Sequence, residues 1–154
     1  MKRIIDSATE QTHLIQYQHL NGQRRLFGGV LLQWIDETAG IVAYRHTGGQ
    51  VITAAVDSLV FKAPAFLDDL IVLKGCLTYI GRTSMEVRVD TYVENADGRR
   101  ELINQAYLVM VSLDADGHPA EIPGVALSGE DEEREWSMGE KRYNLRKARR
   151  QENY

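Results

Sequence analysis

An α+β fold, with an amphipathic antiparallel sheet curled round one buried helix, follows from three features of this sequence. The stretch Val30 to Arg45 has no proline and is apolar on most sides, as a helix buried all round must be. Several β-rich runs separated by short turns come after it, the pattern of an antiparallel sheet rather than of alternating βαβ units. The length, 154 residues, suits one domain and is enough to bury a core without disulfides or metals.

Each element follows in order. His13 to Gln18 reads as a short first strand. Gly28-Gly29 punctuates before the helix, whose apolar residues are Val30, Leu31, Leu32, Trp34, Ile35, Ala39, Ile41, Val42 and Ala43. That helix is too short and too charged to span a membrane. Val51 to Lys62 is rich in β-branched residues, and Leu70 to Tyr79 is apolar and ends at Gly81. Ser84 to Glu94 alternates, with Met85, Val87, Val89 and Val93 on one face and Glu86, Arg88, Asp90 and Glu94 on the other. Asp97-Gly98 is a strong turn signal, and Glu101 to Leu113 is the next strand, closed by Asp114-Ala115-Asp116-Gly117. The edge strands of such a sheet need cover or pairing, which favours oligomers.

Residues 1–125 form the predicted domain and 126–154 a charged helical tail. Residues 130–154 carry seven acidic and seven basic groups, running from Glu130-Asp131-Glu132-Glu133 to Arg146-Lys147-Ala148-Arg149-Arg150. Acid early and base late suits a helix dipole. The tail reads as a solvated helix, kinked or broken near Gly139, or as one docked on a neighbouring subunit through Trp136, Met138, Tyr143 and Leu145.

Composition narrows the function. Hydrophobic residues make up 44% and charged residues 26%, as in soluble globular proteins. The formal net charge of −4 argues against nucleic acid as the main partner, because binding phosphates needs a basic surplus. No apolar run is long enough for a membrane span, and the start Met1-Lys2-Arg3-Ile4-Ile5-Asp6 has no apolar signal region, so a cytoplasmic location is expected. The single cysteine, Cys76, excludes a disulfide within the chain and reads as a core residue. His13, His19, His46 and His118 lack metal-ligand spacing, so no metal is expected.

Two clusters offer chemistry. Asp36 and Glu37 lie inside the apolar helix, where a carboxylate is costly unless partnered. Adjacent helical residues point about 100° apart, so the two cannot share one environment. Ahead of the helix, Asn21 to Gly29 ends in two glycines that let a ligand approach the unpaired N–H groups and partial positive charge of a helix start. That combination suits an anion or oxyanion, although many Gly-Gly pairs are plain turns. Arg45 and His46 at the helix end read as answering the dipole.

The stretch Asn21 to His46 resembles the central helix motif of hot-dog fold acyl-CoA thioesterases, with Asn, Phe-Gly-Gly and Trp-Ile-Asp-Glu-x-Ala-Gly-Ile-Val-Ala in order. Phe61-Lys62-Ala63-Pro64 with Asp69, Gly81-Arg82-Thr83-Ser84-Met85-Glu86-Val87, Ala106-Tyr107 and Pro119…Ile122-Pro123 extend the resemblance over about residues 10–125. One departure is Arg24, where many relatives carry glycine. The resemblance implies a hot-dog fold, subunits paired into dimers, and a trimer of dimers. It implies hydrolysis of an acyl-CoA to free acid and coenzyme A, with coenzyme A as part of substrate and product and no further cofactor. By position Asp36 matches the catalytic carboxylate, as general base on water or as nucleophile through an anhydride, and Asn21 the catalytic asparagine, the two contributed by different subunits. Gly28 and Gly29 would face the carbonyl oxygen, and Arg82, Thr83 and Ser84 would contact coenzyme A. The alternatives are an acyl-CoA-binding regulatory module, a hydratase of acyl thioesters, disfavoured because no histidine lies inside the helix, and a structural protein assembled through its tail.

Overall fold

The computed structural model describes residues 1–153. Strands β2 (Thr9–Leu14), β3 (Gln50–Phe61), β4 (Leu70–Ile80), β5 (Ser84–Glu94) and β6 (Arg100–Leu113) form one antiparallel sheet in the order β2-β4-β5-β6-β3. Helix α2 (Gly28–Thr47) lies in its concave face. Leu31, Trp34, Ile35, Ala39, Val42 and Ala43 of α2 are buried against Ile71, Leu73, Leu77, Val87, Val89, Leu108 and Met110 of the sheet. Gly75 permits that approach, since a Cβ there would lie 3.0 Å from Thr38 and Val42. This is the curled sheet and central helix the sequence predicts. Among the described residues no helix is long and apolar enough to cross a membrane.

Three places differ from the sequence reading. The first strand is Thr9–Leu14, and residues 17–19 form a 3₁₀ turn. The N-terminus forms a two-residue β1 (Lys2–Arg3), paired with β7 (Val125–Ala126), and a four-residue α1 (Ile4–Ser7). Such short pieces are held by tertiary contacts, not propensity. Lys2 donates from Nζ to the carbonyls of Arg45 and His46 at 2.5 and 3.2 Å and so answers the α2 dipole, while the Arg45 guanidinium turns to Ala8 and His46 Nε2 donates to the Pro123 carbonyl.

The third difference is the tail. Helix α3 (Gly129–Gln151) is unbroken and docks on its own subunit's sheet, across β4 and β5. Gly139 does not kink it. A Cβ there would come within 2.8 Å of the Tyr79 Cβ and 3.0 Å of the Thr78 carbonyl oxygen, so the glycine lets the helix lie close. Trp136 and Tyr143 pack on Tyr79, whereas Met138 and Leu145 stay exposed. The polar face of β5 is therefore covered rather than solvated. The Glu86 carboxylate, fully buried, accepts hydrogen bonds from Arg142, Arg146 and Thr78 at 2.6–3.1 Å. Asp57, a strand residue with no role evident in the sequence, pairs with Arg146 and Arg149. Burial alone would raise its carboxyl, but hydrogen bonds from the two guanidiniums outweigh it and hold it below the usual carboxylate range.

Two local features carry expected outcomes. Arg24 sits at φ 61°, the left-handed region where a Cβ costs energy. Arg24→Gly is expected to stabilise the protein by about 0.5 kcal/mol, the relief of strain being partly offset by the freer unfolded chain, read from denaturant midpoints at unchanged slope. Thr91 is fully buried facing α2, and its hydroxyl has no hydrogen-bond partner in the described structure. Thr91→Val keeps the shape and removes the orphan, so a gain of about 1 kcal/mol and a Tm rise of ~2–4 °C is expected. A fall in Tm would show that the hydroxyl has a partner, such as a buried water.

Candidate active site

Helix α2 separates its two central carboxylates as the helical period requires. Glu37 is exposed, and its carboxylate accepts from Gln33 at 3.1 Å. Asp36 is half-buried and turns toward β3, where the Thr53 hydroxyl donates to its Oδ1 at 2.5 Å. This charge-assisted bond orients the carboxylate and leaves Oδ2 for a water. Sequence reasoning missed Thr53, because a threonine in a strand is ordinary on β-propensity alone.

Asn21 begins a tight loop rather than pointing at Asp36. Its Oδ1 accepts from the backbone N–H groups of Gln23 and Arg25 at 2.9 and 3.2 Å, and its own N–H donates to the Arg25 carbonyl. The loop consumes the acceptor end of the amide and leaves the NH2 as a donor. The loop is anchored at its far end, where Leu26 donates to the Ala65 carbonyl and Phe27 to the His19 carbonyl, both at 2.8 Å. Helix α2 starts directly after, and the N–H groups of Gly28 and Gly29 have no acceptor among the described residues. A Cβ on Gly29 would meet the exposed Phe27 ring at 2.6 Å, so a side chain there would displace that ring.

The three elements do not meet within one subunit. Gly29 and Asp36 are seven residues apart on one helix, on the order of 11 Å along its axis. One carbonyl cannot be polarised at the first and attacked by a water held at the second. Strand β3, which holds Thr53 against Asp36, is an edge strand of 12 residues. It exposes Ile52, Val56, Val60 and Phe61 by 41–55%. A long apolar edge is a template for another strand.

The turn carrying the other expected residues divides. Thr83 and Ser84 line an open groove of about 510 Å³ together with Arg146, Arg149 and Arg150 of α3. Arg82 is exposed outside it, 3.9 Å from the Glu121 carboxylate. Burial pushes the Cys76 thiol up, away from thiolate nucleophile chemistry. Asp114, Asp116 and His118 cluster on an exposed turn, but Asp114 Oδ1 already accepts from the N–H groups of Asp116 and His118.

Residues 24–98 match the family model of the Thioesterase superfamily. An uncharacterized acyl-CoA thioester hydrolase of Bacillus subtilis is 37% identical over 131 residues, 84% of this chain and 76% of that protein. An acyl-CoA hydrolase of Staphylococcus aureus, solved with butyryl coenzyme A, coenzyme A and coenzyme A disulfide, superposes with a TM-score of 0.93 at 33% identity, over 99% of this chain and 93% of that one. Alanine variants of that hydrolase have been solved for one asparagine, one aspartate and one threonine. Their separations, 15 and 17 residues, are those of Asn21, Asp36 and Thr53. An apo-hexameric acyl-CoA thioesterase matches with a TM-score of 0.90 at 37% identity, over 96% of this chain and 95% of that one.

Proposed function

This chain belongs to the thioesterase superfamily and is an acyl-CoA thioester hydrolase with the hot-dog fold, and from that premise we propose that its active site is shared between two subunits. Asp36 of one subunit works with Asn21 and the α2 N-terminus of its partner, and the observation that carries this is the ~11 Å between Asp36 and Gly29 within one helix. Pairing of two β3 edges about a two-fold axis lays a partner's loop beside Asp36 twice, once per site.

The residue types suit the reaction. Thr53 holds Oδ1 of Asp36, and Oδ2 takes the proton of an attacking water as general base. Direct attack by the carboxylate, through an anhydride that water then opens, uses the same geometry. The N–H groups of Gly28 and Gly29 point where the carbonyl oxygen gains charge, an interaction worth roughly 3 kcal/mol of barrier per donor. Asn21, with its oxygen occupied by the loop, adds an NH2 donor to the water or the carbonyl. Thiolate leaves without a strong acid. The spacing shared with the solved Staphylococcus variants supports the trio Asn21, Asp36 and Thr53, and the hexameric relative supports a trimer of such dimers.

Thiol release from a panel of acyl-CoAs, short to long, tests the reading. Hydrolysis at some chain length is expected. Tight acyl-CoA binding with no release at any length would favour the binding-module alternative.

A further inference from the structure

Two fully buried polar residues have no part in the chemistry derived above. Asn104 and Thr91 expose no surface. Neither the oxygen nor the nitrogen of the Asn104 amide has a hydrogen-bond partner among the described residues, and nor has the Thr91 hydroxyl. The two residues are direct cross-strand partners on β6 and β5, so their side chains share one face. It is the concave face, the one that also carries Val89, Ala106 and Leu108. Neighbours at that spacing could bond each other, and these do not. An amide with both ends unpaired is costly to bury, and native interiors rarely hold one. Three such atoms side by side suit a polar group brought in from outside better than they suit packing.

Their place in the sheet says where that group comes from. On the β3 edge the register partner of Asn104 is Phe61, which is half exposed. The Phe61 ring reaches the start of α2, since a Cβ on Gly28 would stand 3.6 Å from its Cζ. A line from the N–H groups of Gly28 and Gly29 past this ring therefore leads one strand inward, about 5 Å, to Asn104. Thr91 lies one strand further in the same direction.

We propose that Asn104 and Thr91 bind a hydroxyl carried on the acyl chain of the substrate and so select hydroxyacyl thioesters. The inference rests on the acyl-CoA hydrolase reading and adds the class of acyl group. Phe61 is the ring that turns aside to admit the chain. Asn104 Oδ1 only accepts, its Nδ2 only donates, and the Thr91 hydroxyl does either. A hydroxyl both donates and accepts, so it engages both ends of the amide. A keto oxygen only accepts and leaves Oδ1 unpaired. A plain alkyl chain leaves all three atoms unpaired. At equal length the expected order is hydroxyacyl, then oxoacyl, then alkyl. A site built to hydrogen-bond a hydroxyl rejects the analogue without one far more strongly than an apolar pocket rejects a wrong length.

The test compares the full-length wild type with Thr91→Val, Asn104→Leu and the double variant. Thiol release gives kcat/KM for 3-hydroxybutyryl-, acetoacetyl- and butyryl-CoA, and for 5-hydroxyhexanoyl- and hexanoyl-CoA, which move the oxygen outward. The wild type is expected to favour the hydroxyacyl member of one set by at least ~10-fold. Each variant should bring that ratio toward one while its Tm holds or rises, because an orphaned polar group has been removed. Thr91→Val alone decides the matter if Asn104→Leu does not fold. No hydroxyl preference in either set overturns the proposal, and so does a preference that the variants keep. A fall in Tm at an unchanged ratio would give the pair a purely structural role and overturn it too. If no thioester is hydrolysed, the same acyl-CoAs are titrated by calorimetry. A hydroxyl preference in binding that the variants lose would then sink the hydrolase reading and leave the pair standing, whereas equal binding would sink both.

Discussion

Asp36→Asn is expected to leave fold and assembly intact and to lower thioester hydrolysis at least ~10²-fold. The amide keeps the size of the side chain and still accepts from Thr53, so the helix and the β3 contact persist. What it loses is the negative charge, and with it both the base and the nucleophile. Near-normal kcat/KM in this variant would remove Asp36 from the chemistry. The shared-site reading makes a second, sharper demand on the same residue. Subunits of Asn21→Ala and Asp36→Ala, each nearly inactive alone, should regain part of the wild-type rate when mixed. Half of the sites in a mixed dimer then have both groups intact and half have neither. Verified mixed oligomers that stay inactive would place both groups within one subunit.

Glu86→Ala is expected to be the most damaging single change to stability, by about 3–5 kcal/mol. Its carboxylate has no exposed surface, and Arg142 and Arg146 beside it are exposed by only 19% and 11%. Removing the acid leaves Arg142 with Glu135 and Arg146 with Asp57, but takes away the one carboxylate they share and leaves two guanidiniums near each other with little water. Helix α3 should loosen first, seen as faster amide exchange over residues 135–150 before the sheet opens. Replacing the acid and both arginines together with apolar residues should cost much less, because no charge is then left unpaired. A single variant as mild as the triple one would show that water reaches the cluster. Acid acts on the same helix through Asp57. Its folded pKa lies below the unfolded value, so its contribution is complete above the unfolded pKa near 4 and is lost as pH falls through the folded pKa.

Much of this architecture is legible in the residues. The apolar stretch is a helix packed on the sheet, as expected, but it is not buried all round: α2 buries the face of Leu31, Trp34, Ile35, Ala39, Val42 and Ala43 and exposes Gln33, Glu37, Tyr44 and Arg45. Strict alternation placed β5 on the residues the structure assigns it, Ser84–Glu94. What failed was the environment of the polar face. A period of two says that Glu86 and Arg88 share a side, not what lies on it, and the cover comes from arginines 56 and 60 residues later in the chain. The tail's alternating charges look the same whether they face water or a complementary sheet. Gly139 reads as a break because glycine usually is one, whereas here its lack of a side chain keeps a straight helix close to β4. In the site, Asp36 stands out as a carboxylate in an apolar helix, and the glycine pair stands out by composition. Thr53 does not, since its meaning lies in a hydrogen bond 17 residues away in sequence.

The open β3 edge also sets the terms on which this protein can be studied. With the active site shared between subunits as proposed, catalytic power belongs to the pair and obeys mass action. On dilution through the dimer dissociation constant, specific activity should fall in proportion to concentration, and the total rate with its square, rather than specific activity staying flat, and a lag should follow when a dilute stock is concentrated again. An assay run at nanomolar enzyme would then report how tightly the strands hold, and a low rate there would be mistaken for poor chemistry.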